Sequence, residues 1–320
     1  MMKILVLGSN GMVGSSILNS FSGDSKFKII PSTRKDTNLF KLDETEKLIN
    51  DTNPDILINA AAKVGGIVAN NEQRTQFLIE NLRINTNILE SCIPLKNIKI
   101  INLGSSCIYP LNAKNPISED EFMNGKLEPT NSPYAMAKLT AIELGNAMKE
   151  QYGHKVINLM PTNLYGPNDN FSENDSHVIP GLMFRMEKAK NINSESFKIW
   201  GSGRPLREFL HVDDLSSAIK FIINNDVDDN ILNIGSGDEV SIKSIAENIK
   251  QVINYKGNLS FDTSKPDGNP RKLLDSSKIL DYGWKPEIKL VNGLESTYKW
   301  FRENIKTVSY THLTLPTRCL

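Results

Sequence analysis

Seven residues near the start of the chain, Gly8-Ser9-Asn10-Gly11-Met12-Val13-Gly14, constrain the fold more than any other stretch. They lie between a short apolar run, Lys3–Leu7, and a helical pattern over Met12–Phe21. The glycines recur at intervals of three. At a strand-to-helix junction, glycine permits a tight turn and lets a pyrophosphate approach the backbone N–H groups at the helix N-terminus. A plain strand–helix turn is the alternative; the position directly after a first strand and at the opening of a helix favours dinucleotide binding.

The rest of the first half repeats the alternation. Phe27–Pro31 reads as a second strand and Glu44–Asn50 as a short helix. Asp55–Ala60 reads as a third strand, Glu72–Ile93 as one long helix and Lys99–Leu103 as a fourth strand. Tyr134–Tyr152 is helical and Lys155–Met160 strand-like. Such alternation predicts an α/β protein with a doubly wound, Rossmann-type parallel sheet covered by helices on both faces. After Pro161 the pattern loosens into loops rich in Gly, Pro, Asn and Ser, the kind of segment that carries a substrate site against a rigid sheet. We therefore expect a dinucleotide-binding domain over 1–166, with the chain returning to it at about 205–235, and a smaller, mostly C-terminal α/β substrate lobe over 167–306.

Composition narrows the function classes. The 320 residues carry 37 basic and 37 acidic side chains, so the electrostatic footprint of a nucleic-acid binder is missing. No apolar run approaches the roughly 20 residues that span a bilayer, and no membrane association is expected. Met1-Met2-Lys3 leads straight into a strand, without the pattern of an export signal. Three cysteines, Cys92, Cys107 and Cys319, make no disulfide framework, which fits a reducing, cytoplasmic compartment. No Cys/His spacing suggests zinc or another metal. Residues 307–320 follow an amphipathic helix (about 291–305) and read like translated adapter sequence. We take them as a non-native tail, which removes His312 and Cys319 from the functional argument.

Two further constellations carry chemistry. The second strand ends in Ser32-Thr33-Arg34-Lys35-Asp36. An acidic residue there binds the ribose 2′-hydroxyl of NAD, whereas Arg accommodates the 2′-phosphate of NADP. Arg34 points to NADP, with Asp36 as the competing signal. Tyr134-Ala-Met-Ala-Lys138 puts a phenol and an ammonium one helical turn apart. A cation so placed is expected to lower the tyrosine pKa and make it a usable acid or base. Ser105 and Ser106 stand just beyond the fourth strand, where open parallel sheets place their sites.

Glycine turn, strand-end serine and Tyr-x-x-x-Lys, in that order, resemble the short-chain dehydrogenase/reductase superfamily in its extended, nucleotide-sugar branch. Longer motifs sharpen the likeness: Ala60–Asn71, Leu103–Pro110, Pro161–Pro167, Ser176–Pro180, Trp200–Gly203, Arg207–Asp214 and Lys265–Lys272. Together they are similar to the GDP-L-fucose synthase family, over about Lys3 to Asn304. The resemblance implies 3,5-epimerisation and NADPH-dependent 4-reduction of GDP-4-dehydro-6-deoxy-D-mannose. It makes Tyr134 the proton donor to the carbonyl oxygen and Ser105 its hydrogen-bond partner, with Lys138 holding the nicotinamide ribose. Counting back four residues from Tyr109 favours Ser105 over Ser106. Cys107 and His177 become the base and acid of the epimerisations, and His177 also a cofactor contact.

For NADP the resemblance implies Gly8, Ser9, Asn10, Gly11, Met12, Val13, Gly14 and Arg34, then Leu103, Gly104, Ser105, Ser106 and Lys138, and finally Pro161, Thr162, Asn163 and Leu164 beside the nicotinamide. For the GDP-sugar it implies Arg185, Trp200, Arg207, Asp267 and Lys272, of which the cations suit phosphates. A homodimer is also implied. The chemistry agrees with these residue types: a 4-keto group acidifies the C–H bonds on both neighbouring carbons, and inversion needs a base on one face and an acid on the other. A thiol, with a reference pKa of about 8.5, is a capable base once its surroundings lower that value. The alternative among enzymes is another nucleotide-sugar 4-epimerase or 4,6-dehydratase of the same superfamily, but its dehydratases carry an Asp-Glu pair where Ser106-Cys107 stand here. A non-catalytic NADP sensor is the alternative from another class, but the Ser/Tyr/Lys set is complete.

Overall fold

A computed structural model describes residues 1–311 other than 174 and 266, with side chains to residue 304. The first half alternates as β1 (Met2–Leu7), α1 (Met12–Ser20), β2 (Phe27–Ser32), α2 (Leu42–Thr52), β3 (Ile56–Asn59), α3 (Ile67–Glu72), α4 (Arg74–Cys92), β4 (Lys99–Leu103), α5 (Ser132–Tyr152) and β5 (Lys155–Pro161). The second half adds β6 (Asn163–Tyr165), α6 (Val178–Asn191), β7 (Ser196–Trp200), β8 (Leu206–His211), α7 (Val212–Asn224), β9 (Ile231–Ile234), β10 (Glu239–Ser241) and α8 (Ile242–Ile253). It closes with β11 (Asn258–Asp262), β12 (Arg271–Lys272), α9 (Ser277–Asp281) and α10 (Leu290–Thr311).

The main sheet has six strands in the order β2-β1-β3-β4-β5-β9, all paired in parallel. Its central strands are apolar on both faces, as a sheet covered by helices on either side requires. One face packs Ile17 of α1 and Leu215 and Ile219 of α7 over Val6 and Ile58. The other packs Ile84 and Ile88 of α4 and Ala141 of α5 over Leu5, Leu57 and Ile100. The chain goes outward from β1 to β2 and then crosses back to β3 on β1's other side. A ligand crevice belongs at that reversal, outside the carboxyl ends of β1 and β3. A separate apolar core joins α6, α8 and α10 to β7 through Phe171, Met183, Phe197, Ile249 and Phe301.

The helix expected over Glu72–Ile93 is α4, Arg74–Cys92, and Gln73 at φ −115° and ψ 37° sets it off from the short α3, which the sequence reading left out. One expectation needs correction. The final helix runs further than 291–305: its backbone stays helical to Thr311, into the stretch expected to be tail. Residues 312–320, with His312 and Cys319, lie outside the described residues. Among those described, no helix is long and apolar enough to cross a membrane.

Candidate active site

The turn after β1 is built from backbone against backbone. Gly8 sits at φ +76°, and a Cβ on it would stand 2.9 Å from the Ala60 carbonyl and from the Cα of Ala61. On Gly14 a Cβ would collide with the Gly8 carbonyl oxygen and lie 2.6 Å from the Cα of Ser9. Gly11 caps α1 without a side-chain hydrogen bond, so the first N–H groups of the helix have no side-chain acceptor at the cap. These features fit a pyrophosphate: donors, a positive helix end and no side chain over them.

Behind the turn lies a row of buried asparagines, not anticipated from the sequence. Asn59 donates to Asn102 (2.9 Å) and to Asn85 (3.1 Å), and Asn102 donates to Asn158 (3.0 Å). Asn59, Asn102 and Asn158 are register partners on β3, β4 and β5. The Asn59 Oδ1 also accepts the Ala61 N–H (3.1 Å), which fixes the backbone against which Gly8 packs. An Asn at the same level of three successive strands was the available signal.

At the end of β2 the competing signal resolves. The Asp36 carboxylate accepts both the N–H (2.8 Å) and hydroxyl (2.7 Å) of Thr33, which hold its pKa below the ordinary value. It is occupied in its own turn, while Arg34 and Lys35 are exposed beside it.

The strand-end serines and the Tyr/Lys pair meet at the carboxyl end of β4. Ser105 stands beside Tyr134, and its Oγ accepts the Cys107 N–H (3.2 Å) at the start of a single 3₁₀ turn, Ser106–Ile108. Ser106 is buried in that turn. Lys138 is buried too; its Nζ donates to the Leu103 carbonyl (2.6 Å) and lies 5.9 Å from the centre of the Tyr134 ring. The expectation that Lys138 lowers the Tyr134 pKa is not met. Burial, and then the neighbouring Cys107, push the phenol up, against the opposing pull of the Ser105 hydroxyl. Burial lowers Lys138 itself to about 8. The ammonium faces the ring and a carbonyl and makes no hydrogen bond to the phenol oxygen. Burial and the neighbouring Cys107 both favour the protonated phenol at Tyr134.

Cys107 is half-buried, and its Sγ lies 3.2 Å from the Asn131 amide, a neighbour the sequence reading missed. His177 caps α6 on an exposed turn. Gly66 donates to the Asp175 carbonyl (3.1 Å), and a Cβ there would come within 2.7 Å of the Ser176 oxygen, so the loop after β3 is pressed against that turn. The imidazole is open to water yet walled by protein, and desolvation lowers its pKa. Pro161–Leu164 passes from β5 into β6, but the side chains of Thr162 (3.2 Å) and Asn163 (2.8 Å) both donate to the Glu208 carbonyl. Those two side chains brace β8, leaving their backbone to border the crevice.

The five residues expected to hold substrate share one patch. Arg185 packs its guanidinium on Trp200 (5.4 Å to the ring centre) and Phe197 (5.6 Å). Trp200 is 51% exposed and also has the Lys265 ammonium at 5.9 Å, a second cation not anticipated. Asp267 accepts the N–H (2.5 Å) and hydroxyl (2.7 Å) of Ser202, which lower its pKa. Its charge also favours the cationic form of Arg207, against desolvation, which lowers that pKa. Lys272 on β12 is the register partner of Arg207 on β8. Four cations and an open aromatic face suit a diphosphate joined to a planar base.

Residues 4–235 match the NAD dependent epimerase/dehydratase family. The chain is 46% identical to a putative GDP-L-fucose synthase 2 of Arabidopsis thaliana, over 95% of this chain and 92% of that one. It is 42% identical to the GDP-L-fucose synthase of Escherichia coli K12, over 94% and 97%. A GDP-L-fucose synthetase of Naegleria fowleri, solved bound to NADP, superposes with a TM-score of 0.87 at 30% identity, over 96% of this chain and 95% of that one.

Proposed function

The chain belongs to the NAD dependent epimerase/dehydratase family, and from that premise we propose that it works as a GDP-L-fucose synthase, epimerising GDP-4-dehydro-6-deoxy-D-mannose at C3 and C5 and reducing it at C4. The observation that carries this reading is the convergence of a thiol and a Ser/Tyr pair on one turn at the end of β4. A dehydratase would need carboxylates at that place.

NADP(H) fits the glycine turn, Arg34, the backbone of Leu103–Ser106 and Pro161–Leu164, and Lys138; when bound, NADPH supplies the hydride for C4. The chain's own residues do the proton work. The 4-keto group acidifies the C3 and C5 hydrogens. At each carbon in turn Cys107, as thiolate, takes the proton, the bonding pair is held as an enolate, and His177 protonates the opposite face. Both side chains exchange protons with water before the second inversion. A histidine pKa below its ordinary value makes the protonated ring a stronger donor and a scarcer one, so this step favours the acidic side of neutrality. Tyr134 gives its proton to the C4 oxygen while the Ser105 hydroxyl orients that oxygen. Arg185, Arg207 and Lys272 neutralise the diphosphate, Trp200 stacks on the base and Asp267 fixes the loop beside them.

Residues 1–166 with 205–235 form the cofactor half and 167–306 the substrate half, and the enzyme works as a cytoplasmic homodimer. The test is NMR of the 4-keto substrate in D₂O, without and then with NADPH. Wild-type protein incorporates deuterium at C3 and C5 without NADPH and forms GDP-L-fucose with it, more slowly with NADH. Cys107→Ser loses the exchange. Tyr134→Phe retains exchange and cofactor binding but loses about 10²–10⁴-fold in reduction. Wild-type rates of exchange in Cys107→Ser would sink the assignment of the base.

A further inference from the structure

Gly66 is a glycine that its own backbone does not require. It stands at φ −67° and ψ −177°, extended values open to any residue. What excludes a side chain there is a contact. A Cβ on Gly66 would come within 2.7 Å of the Ser176 carbonyl oxygen, and the Gly66 N–H donates to the Asp175 carbonyl at 3.1 Å. Both partners stand directly before His177, the residue that caps α6.

The loop that makes this contact is gripped from behind by two buried amides. Asn81 on α4 accepts the Lys63 N–H (2.9 Å) through Oδ1 and donates to the Lys63 carbonyl (3.0 Å) through Nδ2. Asn70 on α3 donates through Nδ2 to the carbonyls of Gly65 (2.8 Å) and Gly66 (3.0 Å). Two carbonyls accept only from nitrogen, and Lys63 presents one donor and one acceptor, so each amide has a single workable orientation. A Cβ on Gly65 would stand 3.2 Å from the Phe77 ring, which lies edge-on to Tyr134 at 6.3 Å between centres. On the other side, the Ser176 Oγ accepts the Ser172 N–H (2.6 Å) and donates to the Ser172 carbonyl (2.7 Å). Loop and turn are two braced pieces that meet backbone to backbone.

We propose that Gly66 and Asn70 are positioning residues for His177: the loop after β3, clipped by Asn70, sets how closely the His177 turn approaches the sugar face opposite Cys107. The proposal rests on His177 as the acid of the epimerisations. Both residues act through the backbone of Asp175 and Ser176. In the step they serve, the C3 or C5 proton passes to the Cys107 sulfur and the bonding pair stays on the sugar as an enolate. The imidazolium then gives a proton to the same carbon from the opposite face and becomes a neutral imidazole. If the turn stands back, the enolate waits, and the thiol returns a proton to the face it came from. In D₂O that return leaves deuterium without inversion.

The test separates exchange from inversion. Wild type, Gly66→Ala, Asn70→Ala and His177→Ala are followed by NMR with the 4-keto substrate in D₂O, without and then with NADPH. In Gly66→Ala the methyl drives the turn back; Asn70→Ala frees the loop without adding bulk, and it decides the question if the first variant does not fold. Both variants keep deuterium entry at C3 and C5 and NADPH affinity. GDP-L-fucose formation falls by up to about 100-fold in Gly66→Ala, the effect of misplacing a reacting group by about 1 Å. It falls by about 10-fold in Asn70→Ala, and the unepimerised 6-deoxy sugar appears among the reduced products of both. Exchange, inversion and reduction slowing in step would overturn the proposal, as would a wild-type product ratio in Asn70→Ala. A wild-type ratio in His177→Ala would instead overturn the assigned acid. The ring signals of His177, identified by their absence from that variant, then judge the contact: a shift in Gly66→Ala keeps it, and unchanged signals overturn it.

Discussion

On the proposed reading, the glycine turn and the arginine–tryptophan patch recognise phosphates by opposite means. At the turn, recognition is made of backbone: Gly8 and Gly14 touch main-chain atoms at distances that exclude a Cβ, and the cap of α1 has no side-chain partner. At the patch, recognition is made of side chains: Arg185 lies on Trp200, and Arg207 stands beside Asp267 and in register with Lys272. A backbone site tolerates no substitution, because nothing in it can move aside. A side-chain site loses one contact at a time. The contrast predicts how each half fails.

The sharpest break comes from Gly14→Val. Its Cβ would meet the Gly8 carbonyl oxygen, which is main chain and itself packed against Ala60. Overpacking of this kind costs about 1–3 kcal/mol of stability. NADPH binding, followed by fluorescence titration, should fall by more than that figure suggests, because moving the turn also misplaces its N–H groups. A variant that binds NADPH as wild type does would show that the turn can yield after all.

At the patch the expected failure is graded. Arg207→Ala removes one of four cations and leaves the Asp267 carboxylate held by Ser202. KM for the GDP-sugar should rise about 10- to 100-fold, the range for a hydrogen bond to a charged group, with NADPH affinity unchanged. Steady-state kinetics with each substrate varied separately reads both. Loss of NADPH affinity in this variant would join the two regions and remove the contrast.

The same difference explains what the sequence made legible. Gly8, Gly11 and Gly14 are readable because only glycine fits where backbone meets backbone, and the parallel sheet follows from strands and helices that alternate. The patch emerged only through motif resemblance; nothing in the spacing of Arg185, Trp200 and Asp267 says that they meet. The Asn59–Asn102–Asn158 row went unnoticed because a buried amide has no sequence periodicity of its own and its partners lie on other strands, and Asn131 because Cys107 is 24 residues away in the chain. The Tyr134 pKa was misjudged for a related reason. Helical spacing brings Lys138 near the ring, but only the fold shows that the ammonium donates to the Leu103 carbonyl and that burial governs both groups.

The smallest expected effect lies at the edge of the cofactor half, where a side chain takes over from backbone. Arg34 is exposed at the end of β2, next to Lys35, and the neighbouring carboxylate, Asp36, is held by Thr33. With Asp36 so occupied, the loop offers a 2′-phosphate two cations and offers a 2′-hydroxyl no free acceptor from that residue. Arg34→Ala should therefore weaken NADPH binding and leave NADH binding unchanged. An exposed ion pair contributes up to about 1 kcal/mol, so the selective loss should be about fivefold, with Lys35 retaining part of the charge. Raising the salt concentration should shrink it further, since exposed charges are screened within about 10 Å at 0.1 M. Parallel titrations with the two cofactors, at low and high salt, give the answer. Equal weakening of both would mean that Arg34 supports the adenosine pocket as a whole and that the NADP preference is set elsewhere in the turn.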